Sequence, residues 1–189
     1  MSAVNSSSTA AVAPKARLAT VWLDGCSGCH MSFLDIDERL IDLARVVELL
    51  YSPLVDRKDF PDQVDVTLVE GAVSTDEDLI KIREVRMRTK LLVALGDCAI
   101  TGNVPAMRTR FGVDTVLDRA YRENAQIQQQ IPTQYLPRLL DRVCPVHEVV
   151  DVDVFVPGCP PPADAIHYVI SELLGGRIPD LAARTRFGR

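Results

Sequence analysis

Residues 18–23 read Leu-Ala-Thr-Val-Trp-Leu, a short apolar run rich in β-formers that stops at Asp24-Gly25. A continuous run of this length, closed by turn residues, predicts a strand buried on both faces. Between Ser32 and Leu50 the period changes. Phe33, Ile36, Leu40, Leu43, Val46, Val47 and Leu50 recur at intervals of three and four, while Asp35, Asp37, Glu38, Arg39 and Asp42 fill the other side. That spacing predicts one amphipathic helix. The strand pattern returns over residues 64–69 and ends at Glu70-Gly71. Thr75 or Asp76 then caps an acidic first turn, and a helix is predicted to about Thr89.

Residues 91–95 form a third apolar run, closed by Gly96 and followed by Asp97-Cys98-Ala99. From Pro105 to Leu140 the periodicity blurs. Short helical stretches over 106–111 and 115–121 give way to a Gln-rich segment interrupted by Pro132 and Pro137, which predicts an irregular surface excursion. Residues 152–156 are the fourth predicted strand, Pro157-Gly158-Cys159 the turn, and residues 163–174 the last helix, ended by Gly175-Gly176. Four strand-then-helix units imply an α/β domain with a mainly parallel sheet, right-handed crossovers and helices on both faces. The expected architecture is a flavodoxin-like three-layer domain over residues 16–176. Residues 1–15, mostly Ser, Ala and Val with one Pro and no acid, read as a disordered leader; a transit peptide is the rival, supported only by the charges of Lys15 and Arg17. Residues 177–189, with four arginines and little apolar content, read as a C-terminal tail.

A chain of 189 residues that is 47% apolar and 25% charged can bury the core of one domain, which excludes disorder of the whole chain. The net charge of −5 and the lack of a basic stripe argue against nucleic acid as a partner. No apolar run approaches the roughly 20 residues that span a bilayer, and the start lacks the apolar core of a secretory signal. A soluble, cytoplasmic protein without a membrane span is expected. Five cysteines, an odd number with no sign of export, make a disulfide framework a poor use for them and turn attention to metal or redox chemistry.

In open parallel sheets, ligands sit beyond the carboxyl ends of the strands. Cys26 and Cys29 follow the first predicted strand, Cys98 the third and Cys159 the fourth, so all four are expected at one edge. Four thiolates there suffice for an all-cysteine iron–sulfur site, with Gly25, Gly28, Gly96 and Gly158 letting backbone N–H groups approach the sulfurs. Two other readings stay open on these residues alone. A Cys-x-x-Cys pair between strand and helix also describes a thioredoxin-like dithiol, which leaves Cys98 and Cys159 without a role. A structural zinc is the other, although zinc ribbons supply two paired knuckles rather than one pair and two distant singles. Cys144 is read as a small buried hydrophobe. His30, next to the pair, is a candidate for donating to a sulfide or moving a proton, whereas His147 and His167 read as ordinary surface or core residues. Glu70, at the end of the second predicted strand, is either a contact or proton-relay group or a solvated strand-end carboxylate. Trp22 reads as core.

Taken together, Asp24-Gly25-Cys26-Ser27-Gly28-Cys29 with Met31-Ser32-Phe33-Leu34, then Glu70-Gly71, Leu95-Gly96-Asp97-Cys98-Ala99 and Pro157-Gly158-Cys159-Pro160-Pro161, resemble [NiFe] hydrogenase small subunits over residues 17–175. The resemblance implies that Cys26, Cys29, Cys98 and Cys159 ligate one proximal 4Fe-4S cluster beside a nickel–iron centre in a partner large subunit. The twin-arginine leader and added cysteine-rich region of periplasmic and membrane-bound members have no counterpart in this sequence. It therefore looks like the short subunit of the soluble, bidirectional NAD-reducing type, whose other partners are diaphorase subunits carrying iron–sulfur clusters and FMN. Many relatives have an acid directly after the second cysteine, where this chain has His30. The same cluster domain occurs in the 20 kDa-type subunit of respiratory complex I, where the first two ligands are adjacent, unlike Cys26 and Cys29. The fold itself raises FMN as a ligand, but no Ser/Thr-rich phosphate loop follows the first predicted strand and the crevice there is claimed by Cys26 and Cys29.

Overall fold

The computed structural model describes residues 14–188, so most of the expected leader lies outside the described residues. The first apolar run forms β1 (Ala16–Trp22), buried from Leu18 to Val21. Where one helix is predicted over residues 32–50, the chain instead makes α1 (Gly28–Leu34), α2 (Arg39–Val46) and a strand, β2 (Val47–Tyr51). Two local causes account for the difference. Asp37 sits at φ 57, a left-handed conformation that a continuing helix excludes. Val46-Val47, two β-branched residues in succession, turn the backbone to extended geometry, with Val47 at φ −120 and ψ 143. Leu43 and Val47 both reach the core, so the three-four spacing is genuine for α2 and continues only by coincidence into the strand.

β3 (Val64–Glu70) and the short β4 (Val73–Thr75) lead into α3 (Asp76–Arg88). Thr75 is the cap: its hydroxyl accepts from the Asp78 amide at 3.1 Å, and the Asp78 carboxylate accepts from the Thr75 amide at 2.9 Å. β5 (Thr89–Leu95) is followed by α4 (Asp97–Thr101) and α5 (Asn103–Ala106). A 3-10 turn (Met107–Phe111), α6 (Val113–Asp118) and a π turn (Arg119–Glu123) then form the irregular excursion. The excursion ends on a strand the sequence pattern hides, β6 (Leu139–Cys144), which pairs antiparallel with β4. Arg108 fastens that pair, donating to Leu140 O and to Ser74 O, each at 2.9 Å. β7 (Val154–Val156) and α7 (Ala163–Leu174) complete the domain.

Five strands pair in parallel in the order β2-β1-β3-β5-β7. Leaving out the β4–β6 pair, this is the flavodoxin order, as expected for the class, with one more strand than the sequence suggests. Successive side chains alternate between two cores. Leu18, Val93 and Leu95 pack with Phe33, Leu43, Ile166 and Ile170 from α1, α2 and α7 and with Ile36 from the turn between α1 and α2. Val21, Leu92 and Ala94 pack with Ile82, Val85 and Ala99 from α3 and α4 on the opposite face. Strands buried on both sides explain the unbroken apolar runs. The tail is not loose chain beyond α7, for Leu181 packs against the first core and the Arg184 guanidinium lies 3.8 Å from the centre of the Tyr168 ring. Among the described residues no helix is long and apolar enough to cross a membrane.

Candidate metal centre

The strand ends bring the four cysteines to one rim. Cys26 and Cys29 follow β1, Cys98 lies in the first turn of α4 after β5, and Cys159 follows β7. Cys29 is buried in α1, Cys98 is half-buried, and Cys26 and Cys159 are exposed. The loops after β1 and β3 are clipped by two mutual bonds, Ala72 N to Asp24 O at 2.7 Å and Asp24 N to Ala72 O at 3.1 Å. Between the β5 and β7 loops, Gly96 N donates to Val156 O at 2.8 Å and Asp97 N to Gly158 O at 2.9 Å. Ser32, on α1, donates its hydroxyl to Pro161 O and so ties the first pair to the Cys159 loop.

The expected glycines divide by what they do. The Gly28 amide donates to Cys26 Sγ at 3.4 Å, the N–H to sulfur contact expected of it. A side chain on Gly96 would collide with Cys29 Sγ, so this glycine makes room for the sulfur itself. Its amide is taken by Val156, and that of Gly158 by Asp97 Oδ1 at 2.7 Å, so neither points at a sulfur as expected. Gly25 serves a backbone crossing, since a Cβ there would lie 3.2 Å from Gly71 Cα. Asn103, which sequence reasoning missed, donates its side-chain amide to Cys159 Sγ at 3.6 Å. The one available signal was its place beside Gly102 in the loop that follows Cys98.

Burial raises the Cys29 thiol far above its ordinary range, with further contributions from Glu70 and from Cys98, Cys26 and Cys159. Burial likewise pushes Cys98 up to about 11; a bond from the Val104 backbone opposes it, and Cys26, Cys159 and Glu70 add to it. Cys29 and Cys98 therefore both feel the other cysteines, and without a cation these two stay protonated. A metal must displace those protons, because the thiolate is the ligand. Four soft sulfur donors at one rim are the donor set of an iron–sulfur group.

Glu70 is not a solvated strand-end carboxylate. It is 2% exposed, accepts from the His30 amide at 2.9 Å and pairs with His30 Nδ1. His30 Nε2 lies 3.0 Å from Thr20 Oγ1, which donates to Ser52 Oγ at 2.8 Å, so Thr20 is left to accept from the ring. His30 thus faces the core and not a sulfur. Trp22, expected in the core, is 45% exposed, with Nε1 donating to Gly25 O at 3.3 Å. It is the last residue of β1, on the same face as Leu18 and Thr20 but beyond the buried stretch. Cys144 is half-buried against the second core, as a small hydrophobe would be. His147 is exposed and His167 half-buried.

Residues 26–173 match the family of the NADH ubiquinone oxidoreductase 20 Kd subunit. The NAD-reducing hydrogenase HoxS subunit delta of Cupriavidus necator is 42% identical over 172 residues, 88% of this chain and 82% of that protein. The chain belongs to the 20 Kd subunit family and, within it, to the hydrogenase small subunits. Among solved structures, an H2-reduced NAD+-reducing [NiFe]-hydrogenase superposes on this small subunit with a TM-score of 0.88 at 40% identity, over 92% of this chain and 99% of that one. The resemblance to the NAD-reducing type read from the sequence is borne out. A subunit of the F420-non-reducing hydrogenase of Methanothermobacter marburgensis is 38% identical over 87% of this hydrogenase small subunit, which spans only 55% of that longer relative. A Desulfomicrobium baculatum [NiFeSe]-hydrogenase shares the fold, with a TM-score of 0.55 at 20% identity over 93% of this chain and 70% of that one.

Proposed function

We propose that this chain is the electron-transfer subunit of a cytoplasmic NAD-reducing [NiFe] hydrogenase and that it holds one 4Fe-4S cluster through Cys26, Cys29, Cys98 and Cys159. The observation that carries the reading is the meeting of four cysteines, from three separate strand ends, at one rim close enough that the others bear on the Cys29 and Cys98 thiols. When bound, the cluster supplies one-electron transfer. The chain's own part is to place four sulfurs and to control access to them. Cys29 and the core behind it close the inner side, while Cys26 and Cys159 lie on the open side. Met31 and Leu34 are exposed apolar side chains on α1, the helix that carries Cys29, and they suit the face that meets a large subunit.

The chain has one Cys-x-x-Cys pair, and the nickel–iron centre implied by the family needs two of its own. Hydrogen is then activated on the partner large subunit, and diaphorase subunits carrying further clusters and FMN take the electrons onward. A thioredoxin-like thiol oxidoreductase fits less well, because a dithiol at Cys26 and Cys29 leaves Cys98 and Cys159, at the same rim, without a role. Iron and sulfide analysis of the anaerobically purified chain tests the proposal: about four irons per chain supports it, and one zinc or no metal refutes it. Hydrogen-dependent NAD reduction by the assembled complex, lost on Cys159→Ser, tests the role in electron flow.

A further inference from the structure

Asp97 is 5% exposed, and the hydrogen-bond partners of its carboxylate among the described residues are backbone amides. Oδ1 accepts from Gly158 N and Oδ2 from Gly188 N, each at 2.7 Å, while the Asp97 amide donates to Gly158 O at 2.9 Å. Asp97 precedes Cys98 and Gly158 precedes Cys159, so this tie acts one residue away from each of the two single cysteines. Cys26 and Cys29 belong to one continuous stretch leading into α1, which sets their register. Cys98 and Cys159 come from loops 61 residues apart and have no such register. The third partner comes from still farther along the chain. Asp180 N donates to Tyr168 Oη at 3.4 Å, Leu181 packs into the first core, Arg184 covers the Tyr168 ring, and the segment then delivers Gly188 to Asp97.

We propose that Asp97 is a positioning residue that fixes the Cys98 and Cys159 loops relative to each other, and that residues 177–188 form a strap which closes over it and completes the tie. The proposal rests on the reading that both cysteines hold one cluster. An ionised carboxylate accepting two short N–H bonds is the stronger class of hydrogen bond, and each of its oxygens has a separate job. Asp97→Asn keeps the shape and one acceptor but turns an NH2 group toward the other amide, where donor faces donor.

The test uses the assembled complex, anaerobically, with an iron(II) chelator as the probe of cluster release. Asp97→Asn should release iron at least roughly tenfold faster than the wild type. A chain shortened to end at Arg186, which leaves Asp97 and all four cysteines in place, should do the same. The two changes combined should release iron no faster than the faster of them, because both cut one tie. The EPR line shape of the reduced cluster should shift in Asp97→Asn at unchanged iron content, which a general loss of stability would not produce. Wild-type release rates in Asp97→Asn, or effects that multiply in the combined variant, overturn the proposal. Hydrogen exchange separates its failure from failure of the cluster reading. In the metal-free full chain, Asp97→Asn should remove protection from residues 181–188 and leave β3 protected; unchanged protection of 181–188 refutes the strap whatever the metal content.

Discussion

Replacement of Gly96 by Ala tests the candidate centre at its tightest point. Gly96 lies at φ 84 and ψ 163, a region that only glycine occupies readily, and a residue held there costs about 1–3 kcal/mol. The added Cβ would meet Cys29 Sγ and would also approach Gly158 O at 3.4 Å. Overpacking of a filled site costs about another 1–3 kcal/mol. The sum, about 2–6 kcal/mol, is a large share of the roughly 5–15 kcal/mol that holds a domain folded. The sulfur has little freedom to yield, because Cys29 is 7% exposed and lies in the first core. Any relief comes from moving the sulfur or from parting the β5 and β7 loops, and each displaces a proposed ligand. Urea unfolding of the metal-free chain measures the first consequence, and iron content of the anaerobic preparation measures the second. A Gly96→Ala chain that unfolds within about 0.5 kcal/mol of the wild type, inside the range of an innocuous surface change, and keeps its iron would refute the reasoning.

Three further outcomes follow from the same geometry. Glu70→Ala removes the acceptor of the buried His30 amide and the partner of its ring, and should destabilise the chain by about 1–3 kcal/mol in chemical denaturation; a loss below about 0.5 kcal/mol would show that water replaces the carboxylate. Asn103→Ala removes a donor to Cys159 Sγ, and a bond worth about 1 kcal/mol corresponds to about 40 mV for one electron, so an EPR-monitored redox titration should find a more negative potential of about that size. In the metal-free chain the Cys98 thiol, pushed from 9.0 up to about 11 by burial, keeps its proton in the folded state where the unfolded chain has already lost it. Stability is therefore retained below pH 9 and falls as the pH rises to about 11, a decline that urea midpoints across that range measure and that Cys98→Ala should make shallower, the buried Cys29 supplying the remainder.

The sheet was legible because its strands are buried on both faces, and burial of that kind writes unbroken apolar runs into the sequence. β2 and β6 were not, for different reasons. In β2 the apolar residues Val47 and Leu50 stand three apart and so extend a helical count begun in α2, although the backbone has already turned to extended geometry at Val47. In β6 the run Leu-Leu-Asp-Arg-Val-Cys leaves Asp141 and Arg142 exposed and has no partner strand near it in sequence. It exists because β4, more than 60 residues earlier in the chain, offers an edge and Arg108 spans the pair. Trp22 shows the same limit on a smaller scale: it shares a face with Leu18 and Thr20, which are buried, but as the last residue of the strand it lies past the buried stretch.

The candidate centre was legible for a topological reason, since cysteines after strands of a parallel sheet arrive at the same edge whatever the intervening chain does. What could not be read are the contacts that turn arrival into geometry, because they are made by backbone amides and by residues remote in sequence. His30 illustrates this. Its place beside Cys29 suggested a role toward sulfur, yet its amide and ring are both directed to Glu70 and its far nitrogen to Thr20, so its effect on the centre runs through the anchoring of α1. The loops thus differ in what holds them: the β1 loop is fixed from the core side by a buried polar chain, while the β5 and β7 loops are fixed to each other across the rim. Loss of Glu70 should therefore loosen Cys26 and Cys29 and leave the Gly96–Val156 and Asp97–Gly158 bonds intact. Hydrogen exchange in the metal-free Glu70→Ala chain can observe that separation directly, and protection lost equally at residues 29–34 and 96–98 would show that the rim moves as one unit and that the two anchoring systems are not independent.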